Sequence, residues 1–349
     1  MAYTDIDKPS DYFNTVLYTG NSSTQAIAVG FQSDWVWCKP RTNTGSHFLT
    51  DSVRGGTKVI VSNTTGAEIT RSSNIQSFTS TGYTLGADGT SNYNGDATVS
   101  WNWKAGTSVS GNTTGSGTAK AYSGSVNTDS GFSIIKYVGN GTSAHTIPHH
   151  LGAVPQWVLI KETSNASDWM GYHIGIGNTH TIKLNEPDAP VDRTDWWNDT
   201  TPTSSVVTLG DNGEINQNDT NYIMYSFSQK QGYSKFGSYT GNGTDNNGTF
   251  VYTGFKPAWL MVKRTDSTSD WSMYDIKREA ANPQYEFDLQ LEANDNAAEG
   301  SDGQLGMYSN GFKLRSSDAF LNASGGTYIY MAFAEQPFVT SSGVPATAR

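Results

Sequence analysis

The strongest constraint on the fold is an internal repeat, because one pattern occurs three times along the 349-residue chain. In each copy a Gly is followed five residues later by a Trp and nine residues later by a Lys, with mainly apolar residues between the Trp and the Lys. The three tryptophans are Trp35, Trp157 and Trp259. Their spacing of roughly 100 residues is that of a domain rather than of one solenoid turn.

Further shared sequence frames each copy. The motif Tyr-x-Gly-Asn precedes the Trp, and a stretch rich in β-branched and aromatic residues closes the copy, as buried strands do. Short strands separated by Gly turns are typical of antiparallel sandwiches. We therefore predict an all-β fold of three tandem antiparallel β-sandwich modules, similar to jelly rolls. The predicted parts are a first module with a short N-terminal anchor (1–104), a Gly/Ser/Thr-rich linker (105–129), a second module (130–231) and a third module (232–349).

The composition excludes several classes of protein. Only 15% of residues are charged, the net charge is −10 and 12% are aromatic. An acidic chain without a basic stripe argues against a nucleic-acid partner. The absence of an apolar run of about 18 residues argues against membrane insertion. The single cysteine, Cys38, excludes a disulfide within the chain and argues against a cysteine-based zinc site.

No motif in the sequence indicates catalysis. The chain lacks a G-x-S-x-G elbow, a P-loop and a Rossmann fingerprint, so we expect no enzyme and no catalytic residue. Five of the six histidines lie in the second module, which suggests a metal site. The adjacent His149 and His150 would face opposite sides of a strand, however, and no helical His pair is present. We therefore expect neither a metal ion nor a cofactor.

Two adjacent tryptophans, Trp196 and Trp197, lie in a polar loop near prolines. Exposed aromatic rings stack on the apolar faces of sugars, so this pair is a candidate ligand-binding platform for a glycan. The alternative is that one indole packs inward while its neighbour covers a junction between modules.

The third module carries most of the negative charge, with ten acidic residues against two basic ones between positions 265 and 303. Within it, residues 285–292 alternate between apolar and polar, which predicts a strand with Glu286, Asp288, Gln290 and Glu292 facing outward. We interpret Glu286, Asp288 and Glu292 as a contact surface for a basic partner. Calcium is an alternative occupant, and a solvated edge that prevents strand pairing is another.

Several motifs resemble those of tandem-repeat virion structural proteins of marine tailed bacteriophages, of the cyanophage and pelagiphage type. They are Tyr137-Val-Gly-Asn-Gly-Thr, His150-Leu-Gly, Trp157-Val-Leu-Ile-Lys, Asp51-Ser-Val-Arg-Gly55, Ser100-Trp-Asn-Trp-Lys-Ala105 and the ending from Met331-Ala-Phe-Ala-Glu-Gln-Pro-Phe338 to Thr347-Ala-Arg349. The second module departs from this pattern, because His173 stands where the Asp-x-x-Arg element is expected.

The resemblance implies a virion protein of the tail-fibre or receptor-binding class that displays β modules to the host surface. Its expected partners are other virion proteins, a host surface glycan and further copies of the chain, as a homotrimer. A head or tail decoration protein is the main alternative, and a glycan-degrading tailspike is a weaker one. The β-sandwich is compatible with all three.

Overall fold

Antiparallel β-sheets account for almost all regular structure in the computed structural model, which describes residues 4–279 and 287–346. The predicted all-β class is confirmed. Within the described residues, helices are single turns: a 3-10 turn at Pro9–Asp11, α1 (Thr194–Trp197), α2 (Gly213–Asn216) and α3 (Ala319–Asn322).

We refer to residues 4–104, 105–231 and 232–346 as the first, second and third segments. The strands of the first segment are β1 (Phe13–Thr19), β2 (Gln25–Ala28), β3 (Trp35–Pro40), β4 (Phe48–Asp51), β5 (Lys58–Val59), β6 (Ile69–Thr70), β7 (Ile75–Thr79), β8 (Gly82–Leu85) and β9 (Ala97–Trp103). The strands of the second are β10 (Thr107–Asn112), β11 (Thr114–Gly115), β12 (Ala121–Asn127), β13 (Phe132–Val138), β14 (His145–Pro148), β15 (Trp157–Glu162), β16 (Trp169–His173), β17 (His180–Lys183), β18 (Val191–Asp192), β19 (Val206–Leu209) and β20 (Asn221–Phe227). The strands of the third are β21 (Ser234–Thr240), β22 (Phe250–Tyr252), β23 (Phe255–Arg264), β24 (Ser272–Asp275), β25 (Phe287–Glu292), β26 (Gly300–Tyr308), β27 (Gly311–Leu314) and β28 (Thr327–Pro337).

The same strand order recurs in the three segments. It reads β1-β9-β3-β4 in the first, β13-β20-β15-β16 in the second and β21-β28-β23-β24 in the third. A further sheet stacks on this one, with order β2-β8-β7 in the first segment and β11-β14-β19 in the second, while in the third β22 pairs with β27. Each segment therefore has a core of its own between two layers.

The repeated tryptophans lie at matching positions of the recurring sheet. Trp35, Trp157 and Trp259 each lie on the third strand of that order and are 1–2% exposed. The repeated Gly–Trp–Lys pattern thus corresponds to one buried strand in each segment. Their partners across the central strand are aromatic as well, namely Trp103, Phe227 and Phe333.

These aromatic residues form one core that all three segments share. Trp35 of the first segment stacks on Tyr225 of the second at 4.5 Å, and Phe13 of the first stacks on Phe333 of the third at 5.2 Å. Phe227 of the second segment also contacts Phe333, at 5.7 Å. Each recurring sheet thus buries one face in its own segment and the other in the shared core, which explains why its strands are apolar on both faces.

The region 105–129, predicted to be a linker, carries β10, β11 and β12. Strands β10 and β12 extend the sheet of the second segment beyond β13. The Gly/Ser/Thr-rich composition of region 105–129 does not indicate strands. Such strands can form all the same, because an added strand can be held mainly by backbone hydrogen bonds to an open sheet edge. Tyr122 and Val126 supply the apolar contact with the core of the second segment.

The repeated glycine five residues before each tryptophan has a conformational reason. Gly30, Gly152 and Gly254 all have positive φ angles, of 102°, 67° and 84°. Residues with a Cβ rarely adopt this backbone conformation, so glycine is needed for the chain to turn into the Trp strand. The repeat in the sequence therefore records a repeated turn.

A buried asparagine closes each Tyr-x-Gly-Asn turn. Its side-chain oxygen accepts a hydrogen bond from the backbone N–H of the motif asparagine, and its amide donates to nearby carbonyls. The pairs are Asn92 with Asn21, Asn216 with Asn140 and Asn322 with Asn242. The separations of 71, 76 and 80 residues differ. Each asparagine nevertheless lies 11 residues before the aligned aromatic residue of its closing strand, Trp103, Phe227 or Phe333, so its signal in the sequence is the spacing to that strand.

Hydrogen bonds of one kind join each segment to the next around the shared core. The indole N–H of Trp169 donates to the carbonyl of Val61 in the first segment at 2.8 Å. The indole of Trp271 donates to the carbonyl of Lys183 in the second segment at 2.9 Å. At the matching place in the first segment, His47 Nε2 lies 2.8 Å from the carbonyl of Glu292 in the third. Three segments linked in this cyclic way form a closed ring.

The repeated lysines lie at the same junctions and are fully buried. Lys161 donates to the carbonyl of Thr65 in the first segment, and Lys263 to that of Pro187 in the second. Lys39 is attracted electrostatically to Asp295 and Glu299 of the third segment. Burial lowers the pKa of all three lysines to about 8.

Candidate binding surfaces

The Trp196–Trp197 pair lies on α1 and is buried. Trp196 is 3% exposed and Trp197 is 1% exposed, and both belong to the core of the second segment. The ring of Trp197 packs edge-on against Tyr172 at 5.9 Å, and the Arg193 guanidinium lies 5.2 Å from the Trp196 ring centre. The prediction of an exposed glycan platform is therefore wrong, because a sugar needs an open ring face. One helical turn points both indoles inward, unlike a strand, which would separate them.

An open cavity of about 590 Å³ lies beside Trp196. Its wall includes Lys183, which pairs with Asp168, and Arg193, which pairs with Asp195. Burial, followed by the nearby Asp168 carboxylate, raises the pKa of Glu214 in the same wall. The cations of this cavity already have carboxylate partners within the chain, so its charges mainly stabilise the loop.

The acidic strand β25 only partly matches its predicted pattern. Glu286 lies outside the described residues, and Asp288 and Glu292 are partly exposed. Gln290 was expected to face outward but is buried, and its amide donates to Ser272 Oγ at 2.8 Å. The Gln290 amide also lies 3.4 Å from Glu292 Oε1, so the two residues share one face of the strand, and this face is covered at Gln290.

Glu292 lies at a junction inside the chain rather than in a free acidic row. Its carbonyl faces His47, and the carbonyl of Ala293 accepts a hydrogen bond from Ser62 of the first segment at 2.6 Å. Burial and the nearby Asp270 carboxylate raise the pKa of the Glu292 side chain to about 7. This end of the strand thus contacts the first segment of its own chain, and a contact with a separate basic partner stays a prediction.

The buried histidines take part in structural hydrogen bonds. His173 Nδ1 accepts the backbone N–H of Gly175, so its Nε2–H donates to the carbonyl of Tyr330 at 3.2 Å. His149 likewise accepts from the backbone N–H of Leu151 and faces the carbonyl of Thr203. Burial lowers the pKa of both imidazoles to about 4, which keeps them neutral. Within residues 4–279 and 287–346, no three His, Cys, Asp or Glu side chains come together in a way that could hold a metal ion.

Sequence reasoning missed an aromatic surface on β22. Phe250 is 46% exposed and Tyr252 is 55% exposed, whereas Val251 between them is buried. Strand alternation places both rings on the outer face, at the open edge of the sheet. The three-residue strand is too short to show its periodicity in the sequence, which is why the signal was overlooked.

Comparison with known families gives one match. Residues 8–337 match the family described as Domain of unknown function (DUF7483). The chain belongs to this family. The DUF7483 match spans all three segments, so the family corresponds to the whole ring rather than to one repeat. No curated protein and no solved structure matches the chain. Among the described residues, no helix has the length and apolar character needed to cross a membrane.

Proposed function

We propose that this DUF7483 protein is a non-catalytic structural component of a phage virion, in the tail-fibre or receptor-binding class, and that it binds the host surface. The observation that carries the binding role is the exposed aromatic face of β22, where Phe250 and Tyr252 are 46% and 55% exposed on the same side of one strand. The virion assignment is supported by the resemblance of the repeated motifs to those of virion proteins of marine tailed phages.

The ring architecture supports this role. A shared aromatic core and cyclic hydrogen bonds tie the segments together, and such a scaffold presents surface groups in fixed positions. The buried histidines are neutral and held by backbone groups, which suits a structural role better than proton transfer.

A homotrimer stays part of the proposal, with a changed physical basis. We expected a trimer because apolar β-sheet faces need cover. In this chain the three segments cover those faces for one another. Subunits of a trimer would therefore meet through largely polar surfaces, and light scattering of the purified chain across salt concentrations tests this.

The experiment that tests the function combines location with competition. Gold-labelled antibody against the chain should mark the tail of virions of a phage that carries it, and the purified chain should slow adsorption of that phage to its host. Label confined to the head, with unchanged adsorption, would instead identify a decoration protein. Release of reducing ends from host polysaccharide by the purified chain would contradict the non-catalytic assignment.

A further inference from the structure

The outer face of β22, β27 and β26 carries three aromatic rings. In the strand register, Tyr252 of β22 pairs with Gly311 of β27, and Gly311 in turn pairs with Tyr308 of β26. The ring of Phe250 approaches the ring of Tyr308 to 6.3 Å. We call Phe250, Tyr252 and Tyr308 the β22 platform.

Glycine shapes the floor of this platform. A Cβ at Gly311 would lie 2.9 Å from the Phe250 ring and 2.1 Å from the carbonyl of Val251. A side chain there would collide with both groups, so glycine allows the rings to approach across the middle strand. The Phe250 ring therefore lies over Gly311 and reaches towards Tyr308 on the far strand.

The other two segments show that the fold does not need aromatic residues at these positions. Register matches Val251 with the buried Ile27 and Ile147, which face the cores of the first and second segments. The outward positions that correspond to Phe250 and Tyr252 carry Ala26 and Ala28 in the first segment and Thr146 and Pro148 in the second. Small side chains thus suffice for the same strand, and two large exposed rings in the third segment have another role.

Basic side chains surround the platform. Lys235 Nζ lies 5.5 Å from the ring centre of Tyr252, and the Arg315 guanidinium lies 6.0 Å from that of Tyr308. Lys313 lies opposite Phe250 on the middle strand, at a position that is Thr84 in the first segment and Thr208 in the second.

These cations have neutral partners. Lys313 donates to the side chain of Asn247 at 3.0 Å, and Arg315 donates to the carbonyl of Asn246 at 2.9 Å and to the Tyr308 hydroxyl. In the described part of the chain, neither they nor Lys235 lie within ion-pair distance of a carboxylate. Three such cations at one place, in a chain of net charge −10, form a local surface for anions.

We propose that the β22 platform binds an acidic polysaccharide. The rings stack on the apolar faces of successive sugars, and Lys235, Lys313 and Arg315 bind the carboxylates that the sugars carry. The open face suits an extended chain, whereas a small ligand needs a concave site. This inference deepens the proposed host-surface function and rests on it for its biological meaning. A single-stranded nucleic acid also stacks on aromatic rings, and competition by oligo-dT in the test below distinguishes it from an acidic polysaccharide.

Affinity electrophoresis through gels containing alginate, a polymer of uronic acids, tests the proposal, with dextran as the neutral probe. The unmodified chain should be retarded by alginate and not by dextran, and added salt should weaken the retardation. Phe250→Ala with Tyr252→Ala reproduces the residues of the first segment and should weaken binding about tenfold. Lys313→Thr introduces the residue that both other segments have at this position and should reduce the salt dependence of alginate binding.

The matched control is Tyr93→Ala, which removes a ring that is also 55% exposed but lies in the first segment. Its binding should equal that of the unmodified chain, and thermal unfolding should show that all variants fold. Equal binding by the double variant, absence of any preference for alginate over dextran, or displacement of alginate by a low concentration of oligo-dT would each overturn the inference.

The two proposals fail separately. Tail labelling without alginate binding would leave the proposed function standing and overturn the polysaccharide assignment. Alginate binding by a chain located on the head would support the polysaccharide assignment and overturn the proposed tail-fibre role.

Discussion

Trp101 donates its indole N–H to a carboxylate oxygen of Asp275 over 3.0 Å, across the boundary between the first and third segments. The same carboxylate pairs with Arg278 at 2.6 Å, and both side chains are fully buried. The first segment repeats this arrangement: Asp51 accepts from the hydroxyl of Tyr225 in the second segment and pairs with Arg54.

The second segment lacks the Asp-x-x-Arg pair, and the third segment, which faces it, accounts for this difference. The residue that corresponds to Trp101 and Tyr225 on the neighbouring central strand is Met331, which has no N–H or O–H to donate. A buried carboxylate facing it would lack that hydrogen bond. His173 and Ile176 replace the Asp-x-x-Arg pair here, and His173 bonds to the carbonyl of Tyr330 instead. A segment thus carries the Asp-x-x-Arg pair where the neighbouring central strand supplies a side-chain hydrogen-bond donor, and lacks the pair where that strand has Met331.

We predict that Asp275→Asn lowers the free energy of unfolding by about 3 kcal/mol, because it removes one of the two carboxylates that pair with the buried Arg278. Urea denaturation measures this change. Asp266→Asn is the matched control, since the Asp266–Arg264 pair is more exposed and should contribute about 0–1 kcal/mol. Equal effects of the two substitutions would contradict the importance of the buried pair.

We predict that Trp35→Ala destabilises the whole chain and not only the first segment. The ring stacks on Tyr225 of the second segment, so its removal should cost about 3–5 kcal/mol. Circular dichroism and tryptophan fluorescence should then show one coincident transition in urea, at a lower midpoint than in the unmodified chain. A second transition that keeps the original midpoint would mean that the segments unfold independently.

We predict that Glu292→Gln raises stability at pH 8 and leaves it nearly unchanged at pH 4. The folded state raises the pKa of Glu292 from 4.5 to about 7, so it favours the protonated form. The contribution of this group is present below pH 4.5 and is lost as the pH rises through 7. From pH 4 to pH 8, the melting temperature of Glu292→Gln should rise further and further above that of the unmodified chain. A difference in melting temperature that stays constant over this range would disprove the raised pKa.

We predict that the buried lysines make stability rise with pH between 8 and 10. Their pKa falls from 10.5 in the unfolded chain to about 8 in the fold, so the unfolded chain binds more protons in this window. Lys161→Met should reduce the slope of unfolding free energy against pH by about 1.4 kcal/mol per pH unit. Lys136→Met, on an exposed position of β13, is the control and should keep the parent slope. An unchanged slope for Lys161→Met would contradict the prediction.

The sequence by itself determined the local pattern of the fold. The constant Gly–Trp–Lys spacing identified three matching strands, because a turn with positive φ and the strand that follows it involve only neighbouring residues. The β-branched and aromatic composition of the closing stretches indicated buried strands for the same reason. The all-β class followed from these short-range features.

The tertiary structure decided which faces are covered. Trp196, Trp197 and Gln290 are buried, although the sequence alone suggested exposed roles for all three. Phe250 and Tyr252 are exposed, and the sequence alone gave no signal for them. The alternation of residues along a strand assigns each side chain to one of two faces. Which face is buried depends on the distant segment that packs on it. His47 shows the same limit: it lies 12 residues after Trp35, as Trp169 and Trp271 lie 12 residues after Trp157 and Trp259. Only the closed ring shows what these residues bond to, because the partner of His47, the carbonyl of Glu292, lies 245 residues away in sequence.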